Sequence, residues 1–339
     1  MLARALAALA FALGLAQPVA AQEVTLRLHQ FLPAQSYVPA EILDPWADRI
    51  EAASNGRIKI ERFASMQLGG KPADLVDQLV DGVVDIIWTL PGYTPGRFPR
   101  TEVFELPFLL SDAEGASRAF WQTAEAEMFD TDFKDMHILG TWVHGPGVIH
   151  ASRPVLTLED MAGLRLRAPT RITAQLLEGL GAVAVGMAVP AVPEALSKGV
   201  IDGALLPWEV TSSIRAAELV HNHTEFPGRA IYAATFILAM NSDRYAGLPP
   251  DLRAIIDAES GAAFSAMAGR MQQGADAPMR AEAVAAGNTV TVLSEAELAR
   301  WQAASEPVLA KWLADMAAAG IDGAGLLERA KAALAANGG

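Results

Sequence analysis

Apolar and polar residues alternate along Val24-Thr25-Leu26-Arg27-Leu28, the two-residue period of a strand with one buried face. After a proline-containing loop, Ile42, Leu43, Trp46, Ala47 and Ile50 recur at the spacing of one helix face, and Asn55-Gly56 supplies the stop. Arg57-Ile58-Lys59-Ile60-Glu61 alternates again, Leu75, Val76, Leu79 and Val80 form a second helix face ended by Gly82, and Val83-Val84-Asp85-Ile86-Ile87-Trp88 is apolar enough for a strand buried on both faces. The order β-α-β-α-β predicts a mostly parallel sheet covered by helices.

The rhythm restarts with strands at 136–143, 164–167, 183–185 and 200–204, separated by helical patterns at 171–178 and 192–198. The chain therefore carries two α/β units. From Pro249 to about Ala286 it is rich in Ala, Met, Glu and Arg, which predicts one long helix or two joined ones, and two more helices near 294–318 and 323–335 follow. No repeat or low-complexity tether separates the units, so crossing strands should join them. Ile231-Tyr232-Ala233-Ala234-Thr235-Phe236-Ile237-Leu238 is apolar enough to be the buried return crossing.

The amino-terminal pattern differs from all of this. Met1-Leu2-Ala3-Arg4 leads into an apolar run to Ala16 and the small residues of Pro18-Val19-Ala20-Ala21, which predicts a signal peptide at 1–21 cut after Ala21. Beyond it no stretch reaches the ~20 uninterrupted apolar residues of a membrane helix, so direct membrane insertion is not expected. The 339 residues are 52% hydrophobic and include 26 Lys and Arg against 39 Asp and Glu, a formal net charge of −13. Such a surface repels nucleic acid and anionic lipid, and no basic cluster offsets it. The chain has no Cys, which rules out a disulfide scaffold, a thiolate metal site and a Cys nucleophile. A bacterial periplasm fits these features.

Six segments, in order, resemble the extracytoplasmic solute-binding subunits of tripartite ATP-independent periplasmic (TRAP) transporters. They are Asn55-Gly56-Arg57-Ile58-Lys59-Ile60, Gln67-Leu68-Gly69-Gly70, Gly82-Val83-Val84-Asp85-Ile86, Leu106-Pro107-Phe108-Leu109-Leu110, Gly163-Leu164-Arg165-Leu166-Arg167-Ala168-Pro169 and Ala195-Leu196-Ser197-Lys198-Gly199-Val200-Ile201-Asp202-Gly203. The resemblance runs from about Val24 to Leu248-Pro249-Pro250. It implies a two-domain, hinge-closing periplasmic-binding-protein-like α/β fold with mostly parallel sheets and an interdomain cleft. Domain I would comprise 22–144 and 232–272, and domain II 145–231 and 273–339. The implied partners are a small-molecule carboxylate and the membrane subunits of a sodium-driven TRAP permease. The chain would act as a monomer, without cofactor or metal, and would perform no catalysis.

Arg167 stands where Ala168-Pro169 ends a strand, at a carboxyl edge of the kind where open α/β sheets bind ligands. A guanidinium there can hold a carboxylate through two parallel hydrogen bonds, or it can make a structural ion pair. The resemblance implies the first role. Sugar-acid binders of the family carry a second Arg about twenty residues earlier, where this chain reads Trp142-Val143-His144-Gly145-Pro146-Gly147. They also carry Asn-Pro shortly after the Asp-Gly pair, where this chain reads Ala204-Leu205-Leu206-Pro207-Trp208-Glu209. Aromatic residues replace those polar contacts, so an aromatic or apolar-bodied acid is expected. The ligand-binding candidates are Arg167, Trp208, Trp88, His144, Tyr93 and Phe236. Trp88 could equally plug a core and His144 could equally tie a loop, whereas Trp46, Trp121, Trp301 and Trp312 fall in helical patterns and are assigned to packing.

Competing motifs are weaker. Gly179-Leu180-Gly181-Ala182-Val183-Ala184 follows a helix and precedes a strand, the reverse of a dinucleotide site, and reads as a helix cap. His221-Asn222-His223 with Glu225 lacks a third His and reads as a solvated loop. There is no Gly-x-Ser-x-Gly elbow, so a secreted hydrolase has little support, and it stands beside a ligand-sensing periplasmic module as an alternative function.

Overall fold

The computed structural model describes residues 22–339, and the predicted signal peptide with its cut after Ala21 lies outside the described residues. Among the described residues eleven strands build two sheets. They are β1 (Val24–His29), β2 (Ile58–Phe63), β3 (Ile86–Thr89), β4 (Met136–Val143), β5 (Val148–Ala151), β6 (Arg165–Ala168), β7 (Val183–Gly186), β8 (Gly203–Leu206), β9 (Asn222–Glu225), β10 (Thr235–Asn241) and β11 (Thr289–Val292). The first sheet has the order β2-β1-β3-β10-β4 and the second β11-β9-β5-β8-β6-β7.

Both sheets are mixed. The βαβ segments pair in parallel, as β1 does with β2 and β3, and β6 with β7 and β8. The crossing strands arrive from the other sheet and run antiparallel: β10 lies between β3 and β4, and β5 between β8 and β9. Residues 144–147 carry the chain from the first sheet to the second, and 226–234 carry it back.

Each unit opens on the same device. Gly82 and Gly199 adopt positive φ (+71° and +64°) to end a helix, and the next two apolar residues are spent on the turn, so β3 and β8 start later than the apolar runs suggest. Asp85 then accepts from the backbone and Nε of Arg27 (2.8 and 3.2 Å), and Asp202 from the same groups of Arg165 (2.9 and 3.0 Å). The aspartates therefore clamp neighbouring parallel strands.

The segment 250–285 forms three helices, Pro250–Ala258, Gly261–Gly274 and Asp276–Ala285, broken where Gly261 takes φ +84°. The last helix, Gly323–Asn337, lies against Ala113–Glu127 beside the first sheet, whereas the resemblance implies that 273–339 belongs with the second domain. Gly115 permits this contact, since a Cβ there would stand 2.4 Å from the Asn337 carbonyl oxygen. His221–Glu225 is no solvated loop. His223 is buried on β9, its Nδ1 lies 2.8 Å from Nδ1 of His150, and its Nε2 lies 2.8 Å from Asn288. Trp46, Trp301 and Trp312 are fully buried in helices, and Trp121 packs edge-on against Phe129.

Candidate functional site

The carboxyl ends of β1, β3 and β6, the two crossings and the turn after β8 converge on one cavity, with about 380 Å³ of unfilled space including its mouth. Arg167, Trp88, Tyr93, His144 and Phe236 all line it, together with Phe31, Glu209 and Tyr232, which pattern reasoning did not select.

Arg167 is 2% exposed. Its Nε donates to the Met187 carbonyl (3.0 Å) and its Nη1 to that of Leu205 (2.9 Å), and among the described residues it makes no ion pair. The strand places it so because Leu166 fills the core of the β6 layer while Arg167, one residue on, turns to the other face. Buried cations are ordinarily paired. This one is held by two backbone carbonyls and reaches the Tyr93 side chain, and a guanidinium has five donors, so some remain for an anion.

The aromatic wall follows from strand register. Leu238 lies opposite Trp88 and Phe236 opposite Trp142, so the three rings share one face of the first sheet. Trp88 stacks on Phe31 (centroids 4.6 Å) and on Phe236 (5.4 Å), and Tyr93 meets Phe31 edge-on at 5.5 Å. Trp142 lies behind this layer, its Nε1 donating to Gln272 at 2.9 Å, and does not line the cavity.

His144 contributes ring surface and no free donor. Its Nδ1–H donates to the Gly145 carbonyl (2.5 Å), and its Nε2 accepts from the backbone N–H of Ala234 (3.0 Å). Burial, helped by Arg167, lowers its pKa to about 4, so the ring is neutral and ties the two crossings together. Tyr93 accepts from the Val189 N–H (3.1 Å), and burial raises its pKa.

Trp208 is the exception among the predicted residues. The chain turns helical at Trp208 (φ −63°, ψ −38°), which sends the indole behind the second sheet and presents Glu209 to the cavity instead. The Trp208 ring packs with Val148 and Ala283 and lies 4.9 and 4.7 Å from His150 and His223, while its Nε1 donates to Glu225 (2.8 Å). Glu209 is 1% exposed, and burial followed by the nearby Asp276 pushes its pKa up to about 8. Its position right after an aromatic at a strand end was visible in the sequence, but an acid gave no reason to expect burial. Phe31 and Tyr232 carried no signal beyond lying next to strand ends.

Contacts also span the cleft. Arg171, at the start of helix Arg171–Gly179, holds both carboxylate oxygens of Glu102 and also bonds Asp315. Gly92 stands so near Thr170 that an added Cβ would lie 2.4 Å from the Thr170 methyl carbon. The two sheets thus meet in a closed arrangement over the cavity.

Residues 30–315 match the family described as bacterial extracellular solute-binding protein, family 7. A TRAP solute-binding protein of Rhodoferax ferrireducens T118, whose crystal structure holds copurified benzoate, is 48% identical with a TM-score of 0.91, covering 93% of this chain and 98% of that one. A marine metagenome TRAP solute-binding protein specific for aromatic acids, solved with 3-hydroxybenzoate, is 42% identical with a TM-score of 0.91, over 94% and 99% of the two chains. The ectoine/5-hydroxyectoine-binding periplasmic protein UehA of Ruegeria pomeroyi is 26% identical over 96% of this chain and 94% of its own.

Proposed function

The chain belongs to family 7 of the bacterial extracellular solute-binding proteins, the binding subunits of TRAP transporters, and from that premise we propose that its cavity captures an aromatic or apolar-bodied monocarboxylate. The solute is held in the periplasm and handed to a sodium-coupled TRAP permease. The observation that carries this reading is Arg167, a buried guanidinium without a carboxylate partner among the described residues, set beside the stacked rings of Phe31, Trp88 and Phe236. A ligand carboxylate supplies the missing charge, and a flat apolar body fills the aromatic wall. Relatives that hold benzoate and 3-hydroxybenzoate support the same ligand class.

Finer features belong to the same reading. The leader is removed after Ala21, the mature protein is a monomer, and the solute leaves chemically unchanged. Domain I comprises 22–144, 232–272 and the helix Gly323–Asn337, and domain II the segments 145–231 and 273–318, an assignment supported by sheet membership and by the contact of the last helix.

A thermal-shift screen of organic acids followed by titration calorimetry with benzoate tests the proposal, because a specific ligand stabilises the native state by mass action. Arg167→Ala should weaken benzoate binding at least tenfold, since truncating a desolvated charge contact costs about 2–5 kcal/mol. Arg167→Lys should not restore it, because a point charge cannot keep the two carbonyl bonds and also fork a carboxylate. Hits confined to sugar acids or dicarboxylates would overturn the aromatic assignment, and conversion of a bound acid during long incubation would overturn the binding-only role.

A further inference from the structure

Three polar atoms in the cavity walls have no hydrogen-bond partner among the described residues: Trp88 Nε1, Tyr232 Oη and Glu209 Oε1. All three side chains are 1% exposed, so each atom carries the cost of an unmade bond until something enters the cavity. They are not equivalent. The charge of Arg167 acts on Tyr93 and His144 and that of Asp276 on Glu209, while Tyr232 feels both. The cavity therefore has a cationic end and an acidic end.

Glu209 is also the best-held of the three. Its Oε2 accepts from Gln272 Nε2 (2.9 Å), and Gln272 is itself fixed by the Trp142 indole (2.9 Å). Its backbone N–H donates to Asp276 Oδ1 at 2.8 Å. One carboxyl oxygen is thus anchored by the protein and the other left open, which is how a preorganised ligand contact is built.

Resting on the monocarboxylate reading above, we propose that Glu209 Oε1 is the cavity's second polar anchor and takes a hydroxyl group on the ligand body, so that the favoured solutes are hydroxy-substituted aromatic acids. A hydroxyl both donates and accepts, and therefore satisfies Oε1 whether or not the carboxyl carries its proton. Burial keeps that proton on at neutral pH, while Asp276, Tyr37 and Tyr232 are the titratable groups that face this end and Arg167 lies at the other. A second ligand carboxylate would be buried at this end with no cation beside it and Asp276 behind Glu209, which disfavours dicarboxylates.

Calorimetric titration of benzoate, 3-hydroxybenzoate, 4-hydroxybenzoate and terephthalate into the wild-type chain, Glu209→Leu and Glu209→Gln tests this. The readout is the ratio of dissociation constants, benzoate over the better hydroxybenzoate, within each protein, so a general loss of affinity cancels. The ratio should be about tenfold or more in the wild type, fall to about one in Glu209→Leu, and be largely kept in Glu209→Gln, whose amide can still bond a hydroxyl. A wild-type ratio near one, terephthalate binding as tightly as the hydroxy acids, or a ratio unmoved by Glu209→Leu overturns the anchor while leaving benzoate binding and its Arg167 dependence intact. If none of the four acids binds the wild type, the aromatic-acid reading and the anchor fall together.

Discussion

At the residue scale, Arg167 and Glu209 show which parts of the site a sequence can carry. Arg167 was legible because its neighbours alternate with it and a proline marks the strand end. Glu209 was not, because burial of an acid depends on Gln272 and Asp276, more than sixty residues away. Trp208 stands where an apolar strand gives way to what reads as loop, but the backbone turns helical there and the indole lies behind the second sheet. Burial of Glu209 also gives the ligand-free protein a pH signature. Its pKa rises from 4.5 to about 8, so within that window the unfolded chain has released a proton that the folded one keeps, and stability falls as pH rises. The buried acids Asp276 and Glu105 do the same, but only up to about 7. His144 and His150, lowered to about 4 and about 3, act on the other flank, where stability is lost as pH falls below 6.5. Between pH 7 and 8 Glu209 is therefore the principal contributor among these groups. Scanning calorimetry without ligand should show Tm dropping by about 1–2 °C across that unit, and Glu209→Gln should flatten the drop. An equally steep decline in Glu209→Gln would mean that Glu209 is not the group responsible.

At the scale of elements, most helices and the strands of the βαβ segments were readable, because hydrophobic period and glycine stops act locally. What was missed shares one cause. Strands β5, β9 and β11 mix polar and apolar residues without a helix-and-glycine frame to mark them, and they exist through pairing with distant partners. The late starts of β3 and β8 were hidden because apolar residues that cap a helix look the same as apolar residues that begin a strand. Glycines separate the interior of the second sheet from its edge. Gly203 opens β8 between β5 and β6, where an added Cβ would lie 2.3 Å from the His150 carbonyl oxygen and 2.9 Å from Ala151 Cα. Backbone cannot step aside as a side chain can, so Gly203→Ala should destabilise by about 1–3 kcal/mol in urea denaturation. Gly186, at the end of edge strand β7, has nothing within 4 Å, and Gly186→Ala should remain within about 0.5 kcal/mol of the wild type. Equal effects of the two substitutions would show that interior packing of β8 does not limit stability.

At the scale of the whole molecule, binding depends on how closely two sheets on opposite sides of the cavity can approach. Ligand contributes to closure only through contacts that the open arrangement lacks, and here those contacts come from both sides: Phe31, Trp88 and Phe236 from one, Arg167 and Glu209 from the other. Two features outside the cavity report on the same approach. The Arg171–Glu102 pair is a charge-assisted clamp between a partly exposed arginine and a nearly buried glutamate, so it aids closure and is weakened only in part by salt. Gly92 against Thr170 is steric and insensitive to salt. A Cβ on residue 92 would collide with the Thr170 methyl at 2.4 Å and with its Cβ at 2.9 Å, in the closed form only, and would touch no ligand-lining polar group. Gly92→Ala should therefore weaken benzoate binding about tenfold or more by raising the free energy of closure, and leave the Tm of the ligand-free protein within a few degrees. Thr170→Ser removes the methyl but keeps the hydroxyl that caps helix Arg171–Gly179, so adding it to Gly92→Ala should restore part of the lost affinity. Small-angle scattering should show the wild type contracting on benzoate addition and Gly92→Ala contracting less. Full affinity in Gly92→Ala, or a wild-type radius of gyration unchanged by saturating benzoate, would exclude closure across this contact as the source of binding.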